Sequence, residues 1–127
     1  MGENKSASAT VLIVEEYEDP RLAMRLALEQ YGYRVIEAGD GQAAVEVAAR
    51  ERPAVILMDI TLPVLDGPAA AKLIREDEGT RDTIIVAITA HNEAQYRTAA
   101  LAAGYNAYVT KPIDFYWLNG LLASLLK

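Results

Sequence analysis

The chain contains 127 residues, with 18 acidic and 12 basic side chains, a formal net charge of −6 and no cysteine. This length suits one domain, and the lack of cysteine excludes disulfide bonds. Proteins that bind nucleic acids carry clustered Lys and Arg, so an acidic chain without a basic run is not expected to bind DNA or RNA. The 52% of hydrophobic residues is enough for a single buried core.

The longest apolar runs, at residues 11–14 and 84–88, are far shorter than the ~18 residues of a membrane span. We therefore expect no transmembrane segment and no membrane partner. Residues 1–9 are small and polar, which predicts a disordered leader before a domain at residues 10–127. The leader has no apolar signal-peptide core, so a cytoplasmic location is expected.

Five short segments rich in apolar and β-branched residues predict strands. They occupy residues 10–14, 34–38, 55–58, 84–88 and 107–110. Their hydrophobicity is continuous rather than alternating, which indicates burial on both faces of the sheet. This pattern is typical of a parallel sheet that is covered by helices on both sides.

The segments between the strands predict five helices, at residues 20–31, 41–50, 67–77, 93–103 and 113–126. Asp19 and Asp40 are the expected N-caps of the first two helices, and Gly32 is expected to end the first. The last helix is expected to begin just after Pro112. Strands that alternate with helices predict an α/β fold, the flavodoxin-like (βα)5 doubly wound sandwich with a five-stranded parallel sheet of order 2-1-3-4-5.

Polar side chains follow four of the predicted strands, at the sheet edge where doubly wound folds bind their ligands. Glu15 and Glu16 follow the first strand, Asp59 the third, Thr89 the fourth and Lys111 the fifth. Clustered carboxylates repel each other unless a cation offsets their charge, and Mg²⁺ is satisfied by two carboxylates, a carbonyl and water. Taken alone, the two glutamates are better explained as solvated loop charges, because acidic residues are usually exposed.

Lys111 and Thr89 add a cation and a hydroxyl donor to this edge. Together with a metal ion they form a receptor for a phosphoryl group in transfer, for which Asp59 is the candidate acceptor. Each residue also has an ordinary structural explanation, because a Lys-Pro step opens many helices and a Thr ends many strands. The combination at consecutive strand ends is the specific signal.

These residues lie in segments that resemble the response-regulator receiver domain of two-component signalling. The resemblance covers residues 10–126 and rests on the segments VLIVEE, GYRVIEAGDGQAAV, PAVILMDITLPVLDG, VAITA and GYNAYVTKP. It implies that Asp59 accepts a phosphoryl group from the phosphohistidine of a sensor histidine kinase or phosphotransfer protein. It also implies a magnesium ion held by Glu16, Asp59 and the Thr61 carbonyl, with Glu15 acting through a water.

The resemblance further implies a switch. Lys111 pairs first with Asp59 and then with the phosphoryl oxygens, the Thr89 hydroxyl moves toward the phosphoryl group, and Tyr108 follows by swinging inward. The shift is read on helix four, strand five and helix five. His91 is implied to tune access of the hydrolytic water, or it is simply an exposed loop residue.

Two backbone features are also implied. The Lys111-Pro112 bond is expected to be cis, although only about 5 to 6% of X-Pro bonds are. Gly67 is expected to let the loop after the third strand turn sharply.

One departure from the family pattern opens an alternative. The family has Asp-Asp or Glu-Asp after the first strand, whereas this chain has Glu15 and Glu16, so the direct metal ligand is one methylene longer. The alternative is a pseudo-receiver, an interaction module that works without phosphorylation. In both cases we expect no enzyme acting on an external substrate, and at most catalysis of the chain's own phosphorylation and dephosphorylation.

Two surfaces are candidates for protein contacts. Leu22 and Leu26 lie on the flank of the first helix. The resemblance to receivers implies that this helix is the docking surface for the histidine donor, and partial burial at the helix edge explains the two leucines equally well. In the last helix, three consecutive aromatic residues cannot all face the core. Tyr116, Trp117 and Leu121 are therefore expected to face outward and to bind a protein target or a second copy of the chain.

Overall fold

The computed structural model describes residues 9–90 and 94–127, so residues 1–8 of the expected leader at residues 1–9 and the expected role of His91 lie outside the described residues. The carbonyl of Ala9, the last residue of the expected leader, accepts a hydrogen bond from the Arg34 amide. The elements are β1 Thr10–Val14, α1 Glu18–Gln30, β2 Arg34–Ala38, α2 Gly41–Glu51, β3 Val55–Asp59, α3 Gly67–Glu76, β4 Ile84–Thr89, α4 Ala94–Ala102, β5 Ala107–Thr110 and α5 Phe115–Leu125.

The strands form one parallel sheet with the order β2-β1-β3-β4-β5, which confirms the predicted topology. Alternate strand residues enter two separate cores, as the two-residue repeat of a strand requires. On one face, Leu12, Ile56 and Ile85 pack with the buried residues of α2 and α3. On the other face, Ile13 and Leu57 pack in a core with buried residues of α1 and α5. Separately, no helix in the described part of the chain is long and apolar enough to span a membrane.

The first helix begins two residues earlier than predicted. Its N-cap is Tyr17, so the prediction that Asp19 caps it is wrong. Glu18 and Asp19 lie in the first turn, where negative charge is favoured by the helix dipole. Pro20 is tolerated there because the amides of a first turn have no partner within the helix.

The other helix starts follow local capping. Asp40, Asp66 and Asp114 cap α2, α3 and α5, each accepting a hydrogen bond from the amide three residues later. The Asp114 cap places the first residue of α5 at Phe115 rather than at residue 113. The described part of α4 runs over Ala94–Ala102 instead of reaching residue 103.

Two strands continue one residue further than predicted. β3 includes Asp59 and β4 includes Thr89, because both residues belong to the ladder, opposite Ile88 and Thr110 respectively. The sheet itself therefore fixes the backbone of these two polar residues at its carboxyl edge.

Candidate functional site

The carboxyl edge of the sheet carries a small cavity of about 200 Å³ between the strand ends. It is lined by Glu15, Glu16, Tyr17, Asp59, Thr61, Thr89, Ala90 and Lys111. The residues that follow four strands in the sequence therefore meet in one place, as the position of ligand sites in doubly wound sheets leads one to expect.

Asp59 and Lys111 form a close ion pair in this cavity. The Lys111 ammonium donates to Asp59 Oδ2 at 2.7 Å, and the Thr61 amide donates to Asp59 Oδ1 at 2.9 Å. The Asp59 side chain is only 13% exposed. Burial alone lowers the pKa of Lys111, but the hydrogen bond and charge of Asp59 outweigh burial, so the net direction is upward. Lys111 therefore carries a full positive charge at neutral pH, directly beside the Asp59 side chain.

Glu15 is the buried member of the acidic pair. It is 3% exposed, its Oε1 lies 3.6 Å from the Lys111 ammonium, and its Oε2 accepts from the Glu16 amide at 3.0 Å. Burial raises the pKa of the Glu15 carboxyl, and the negative charge of Asp59 raises it further, while Lys111 partly opposes both. Holding both carboxylates ionised is therefore costly unless more positive charge is supplied.

Glu16 and Thr61 are exposed residues of the same cavity. Within residues 9–90 and 94–127, no group of three His, Cys, Asp or Glu side chains forms a metal cage. Mg²⁺ needs no such cage, because it keeps several waters and takes only one or two carboxylates from the protein. The hard oxygen donors and the excess negative charge around Glu15 and Asp59 fit magnesium by this criterion.

Gly67 is required at this site for space rather than for a turn conformation. A Cβ on Gly67 would lie 2.7 Å from the Tyr105 hydroxyl oxygen and 2.8 Å from the carbonyl oxygens of Asp59 and Ile60. Its φ is not positive, so the expected sharp turn is not the reason for glycine. α3 begins directly against the backbone that carries Asp59, and any larger residue would displace that backbone.

Tyr105 is a residue that the sequence did not single out. It is 3% exposed, and its hydroxyl lies 3.6 Å from the Met58 sulfur, behind the Asp59 strand end. Burial raises the pKa of the Tyr105 hydroxyl, and the charges of Asp66 and Asp59 add to this, so the group stays protonated. Its position next to Gly67 depends on tertiary packing, for which a single sequence contains no signal.

Thr89 and Tyr108, the expected switch residues, are both buried in this structure, at 3% and 9% exposure. The guanidinium carbon of Arg97 lies 5.5 Å from the centre of the Tyr108 ring, in cation–π range. Tyr108 is therefore already buried in this structure, and an inward swing from an exposed position is not what this conformation would undergo. The Arg97 contact was not predicted, because it joins two different elements. The Lys111-Pro112 bond is cis, as expected.

Four of the five candidate contact residues have exposed side chains in the structure. Leu22 and Leu26 are 52% and 55% exposed on α1, and Tyr116 and Trp117 are 81% and 53% exposed on α5. Leu121 is half-buried: it packs against the core that α5 shares with α1, and it also lines a surface pocket together with Tyr116 and Trp117. On the helical wheel Leu121 lies about 40° from Trp117 and about 60° from Leu118, between the exposed aromatic side chains and the buried stripe.

Comparison with known proteins identifies the family. A family model described as "Response regulator receiver domain" matches residues 11–122. The response regulator PleD of Caulobacter vibrioides is 33% identical over 120 residues, which are 94% of this chain and only 26% of PleD. The chain therefore spans about a quarter of that relative's length.

Two solved structures are similar over nearly the whole chain. The receiver domain of sensor histidine kinase PA1611 from Pseudomonas aeruginosa, which has magnesium coordinated in its active-site cleft, is 37% identical with a TM-score of 0.87, covering 94% of this chain and 98% of that one. The receiver domain of Ssk1 from Saccharomyces cerevisiae, in complex with the phosphotransfer protein Ypd1, is 34% identical with a TM-score of 0.83, covering 88% and 84%. The chain belongs to the response-regulator receiver domains of two-component signalling.

Proposed function

We propose that this chain is a cytosolic phosphorylation switch that accepts a phosphoryl group on Asp59 from a sensor histidine kinase or phosphotransfer protein. The observation that supports it best is the 2.7 Å pair of Asp59 and Lys111 inside a cavity that also contains Glu15, Glu16 and Thr89. A carboxylate held beside an ammonium and a hydroxyl suits phosphoryl transfer, which depends on positioning and electrostatics.

The proposed step is a displacement at phosphorus. A carboxylate oxygen of Asp59 attacks the phosphoryl group of the donor phosphohistidine, an O–P bond forms, the P–N bond breaks, and the leaving imidazole nitrogen takes a proton from water. Lys111 moves its hydrogen bond from Asp59 to a phosphoryl oxygen, and Thr89 lies across the cavity as the second donor. Magnesium, when bound, neutralises charge on the phosphoryl oxygens; Glu16, Asp59 and the Thr61 carbonyl would hold it, with Glu15 acting through water.

Incubation with phosphoramidate and magnesium tests this proposal. We expect intact-mass spectrometry to find a gain of one phosphoryl group per chain, and no gain when magnesium is removed with a chelator. The alternative, a pseudo-receiver that binds partners without phosphorylation, rests on the Glu15–Glu16 pair. It would be favoured if the folded protein gained no mass at any magnesium concentration.

The donor is proposed to dock beside this cavity. A larger and mainly apolar pocket of about 570 Å³ lies between α1 and the start of α5 and is lined by Glu15, Pro20, Ala23, Met24, Lys111, Pro112, Ile113 and Phe115. Glu15 and Lys111 line both this pocket and the smaller cavity, and Leu22 and Leu26 are exposed on α1. Apolar side chains around a reactive group favour a protein donor, because they provide the buried area that an encounter needs.

A bulky charge in this pocket should separate protein donors from small ones. We expect Ala23→Arg to slow transfer from a phosphorylated histidine phosphotransfer protein at least about tenfold, a loss of about 1.4 kcal/mol of transition-state stabilisation. Phosphorylation by phosphoramidate should be unchanged, since Asp59 and Lys111 are untouched. Ala49→Arg, at an exposed position on α2 and the opposite face of the sheet, is the matched control and should affect neither reaction.

The output is proposed to lie on α4, β5 and α5. Phosphorylation adds charge next to Thr89 on β4, which pairs with β5, and the buried Tyr108 on β5 lies under Arg97 of α4. We expect a shift at Thr89 to reach this surface through these paired elements. Tyr116 and Trp117 give α5 an exposed aromatic patch, which suits a protein target or a second copy of the chain.

A further inference from the structure

Arg21 of α1 contacts the backbone of both members of the acidic pair. Its Nη1 donates to the Glu15 carbonyl at 2.7 Å and to the Glu16 carbonyl at 3.4 Å. The same guanidinium donates from Nε to Glu37 of β2 at 3.1 Å. The Arg21 side chain is only 19% exposed, so this contact is better shielded from solvent than an ordinary surface ion pair.

Glu37 of β2 holds the Arg21 guanidinium in place. It pairs with Ile13 in the β1–β2 ladder, just before the acidic pair, and its second oxygen accepts from Arg25 at 2.6 Å. Gly39 leaves room for the guanidinium, since a Cβ at that position would lie 3.3 Å from Arg21 Nη1. One planar group thus links the loop after β1 to the neighbouring strand, using the fork geometry that lysine lacks.

We propose that Arg21 is a positioning residue for the acidic pair, and that by holding the Glu15 and Glu16 carbonyls against Glu37 it sets the affinity of the site for magnesium. This inference depends on the proposed function. A glutamate carries its carboxylate one methylene further from the backbone than an aspartate. The position of the Glu15 and Glu16 backbone therefore has a larger effect on where the carboxylates lie in the magnesium site. Groups that orient metal ligands without touching the metal contribute strongly to affinity.

The neighbouring arginine provides a matched control. Arg25 also pairs with Glu37, and with Glu29 at 3.3 Å, but in the described part of the chain it makes no hydrogen bond or ion pair with Glu15 or Glu16. Arg21→Met keeps the aliphatic stem and removes the hydrogen bonds to both carbonyls, whereas Arg25→Met removes only ion pairs. A general loss of the Glu37 network would affect both variants alike.

The test is a magnesium titration followed by amide chemical shifts in NMR, together with the phosphorylation rate as a function of magnesium. We expect Arg21→Met to weaken magnesium binding about 10- to 100-fold, while its rate at saturating magnesium approaches that of the wild type. Arg25→Met should bind magnesium like the wild type. If Arg21→Met does not fold, Arg21→Lys replaces it and should show a smaller loss in the same direction.

The outcomes distinguish a failure of the positioning role of Arg21 from a failure of the proposed phosphorylation switch. Equal magnesium affinities for Arg21→Met and the wild type, or equal losses in Arg21→Met and Arg25→Met, would overturn the positioning role while leaving the switch intact. A wild-type chain that neither binds magnesium nor gains a phosphoryl group would overturn both.

Discussion

Asp59→Asn is expected to abolish phosphorylation, reducing the phosphoryl gain seen by intact-mass spectrometry to background. Asparagine has nearly the shape of aspartate, but its amide oxygen is a poor nucleophile and it removes one of the charges that attract magnesium. In the structure no other carboxylate pairs with Lys111 at 2.7 Å, among the residues described, and Glu15 lies further away at 3.6 Å. The Asp59 oxygen is therefore the expected acceptor.

Asp66→Asn is the matched control for this variant. Asp66 is exposed in the same loop and caps α3 by accepting from the Ala69 amide at 2.9 Å, a role that asparagine fulfils equally well. We expect it to be phosphorylated like the wild type. Phosphorylation that persists in Asp59→Asn, or disappears in Asp66→Asn, would show that Asp59 is not the acceptor.

Loss of reaction in Asp59→Asn should not come from loss of folding. The variant removes the ion pair with Lys111, but it also removes a like charge next to Glu15, and these two changes oppose each other. Because these two changes offset each other and the Lys111 side chain is 36% exposed, we expect the free energy of unfolding to change by no more than about 1 kcal/mol. Denaturant unfolding of both proteins without magnesium checks this.

The sheet and the membership of the site could be predicted because both follow from local signals. Continuous apolar runs specify strands that are buried on both faces, and parallel strands bring the residues at their carboxyl ends to one edge. Asp59, Thr89 and Lys111 are therefore placed together as soon as the strand order is known. Predicting that these three residues share one cavity required no information beyond the order of the strands.

The contacts that tune the site could not be predicted in the same way. Arg21, Tyr105 and Arg97 act across different elements, and no spacing rule connects them to the residues that they touch. Helix ends were missed for a related reason: several residues near Tyr17 could each start α1, and the choice depends on how the loop after β1 is held. The Gly67 requirement likewise comes from a tertiary neighbour, the Tyr105 hydroxyl.

The two glutamates illustrate the same limit most clearly. They are adjacent and chemically identical in the sequence, yet Glu15 is buried beside Asp59 and Lys111 while Glu16 is exposed at the cavity rim. Alternating side-chain direction at the end of β1 sends one inward and the other toward solvent. We therefore expect the matched substitutions Glu15→Gln and Glu16→Gln to have different consequences.

Glu15→Gln should raise the free energy of unfolding of the metal-free protein at neutral pH. The pKa of the Glu15 carboxyl is raised above the ordinary value of 4.5 by burial and by Asp59, so folding favours its neutral form. The stability that wild-type Glu15 contributes is complete below its unfolded pKa and is lost as the pH rises through its folded pKa. The advantage of the variant should therefore be largest near pH 7 and vanish in acid, as measured by denaturant unfolding across that range.

Glu16→Gln should instead leave the metal-free stability almost unchanged, because an exposed side chain is replaced by one of equal size. As the expected direct ligand it should lower magnesium affinity about tenfold or more, and with it the thermal stabilisation that magnesium provides by binding the folded state. Thermal unfolding with and without magnesium measures both variants together. If Glu15→Gln destabilised the metal-free protein, or if Glu16→Gln kept full magnesium stabilisation, the division of roles between the buried and the exposed glutamate would be wrong.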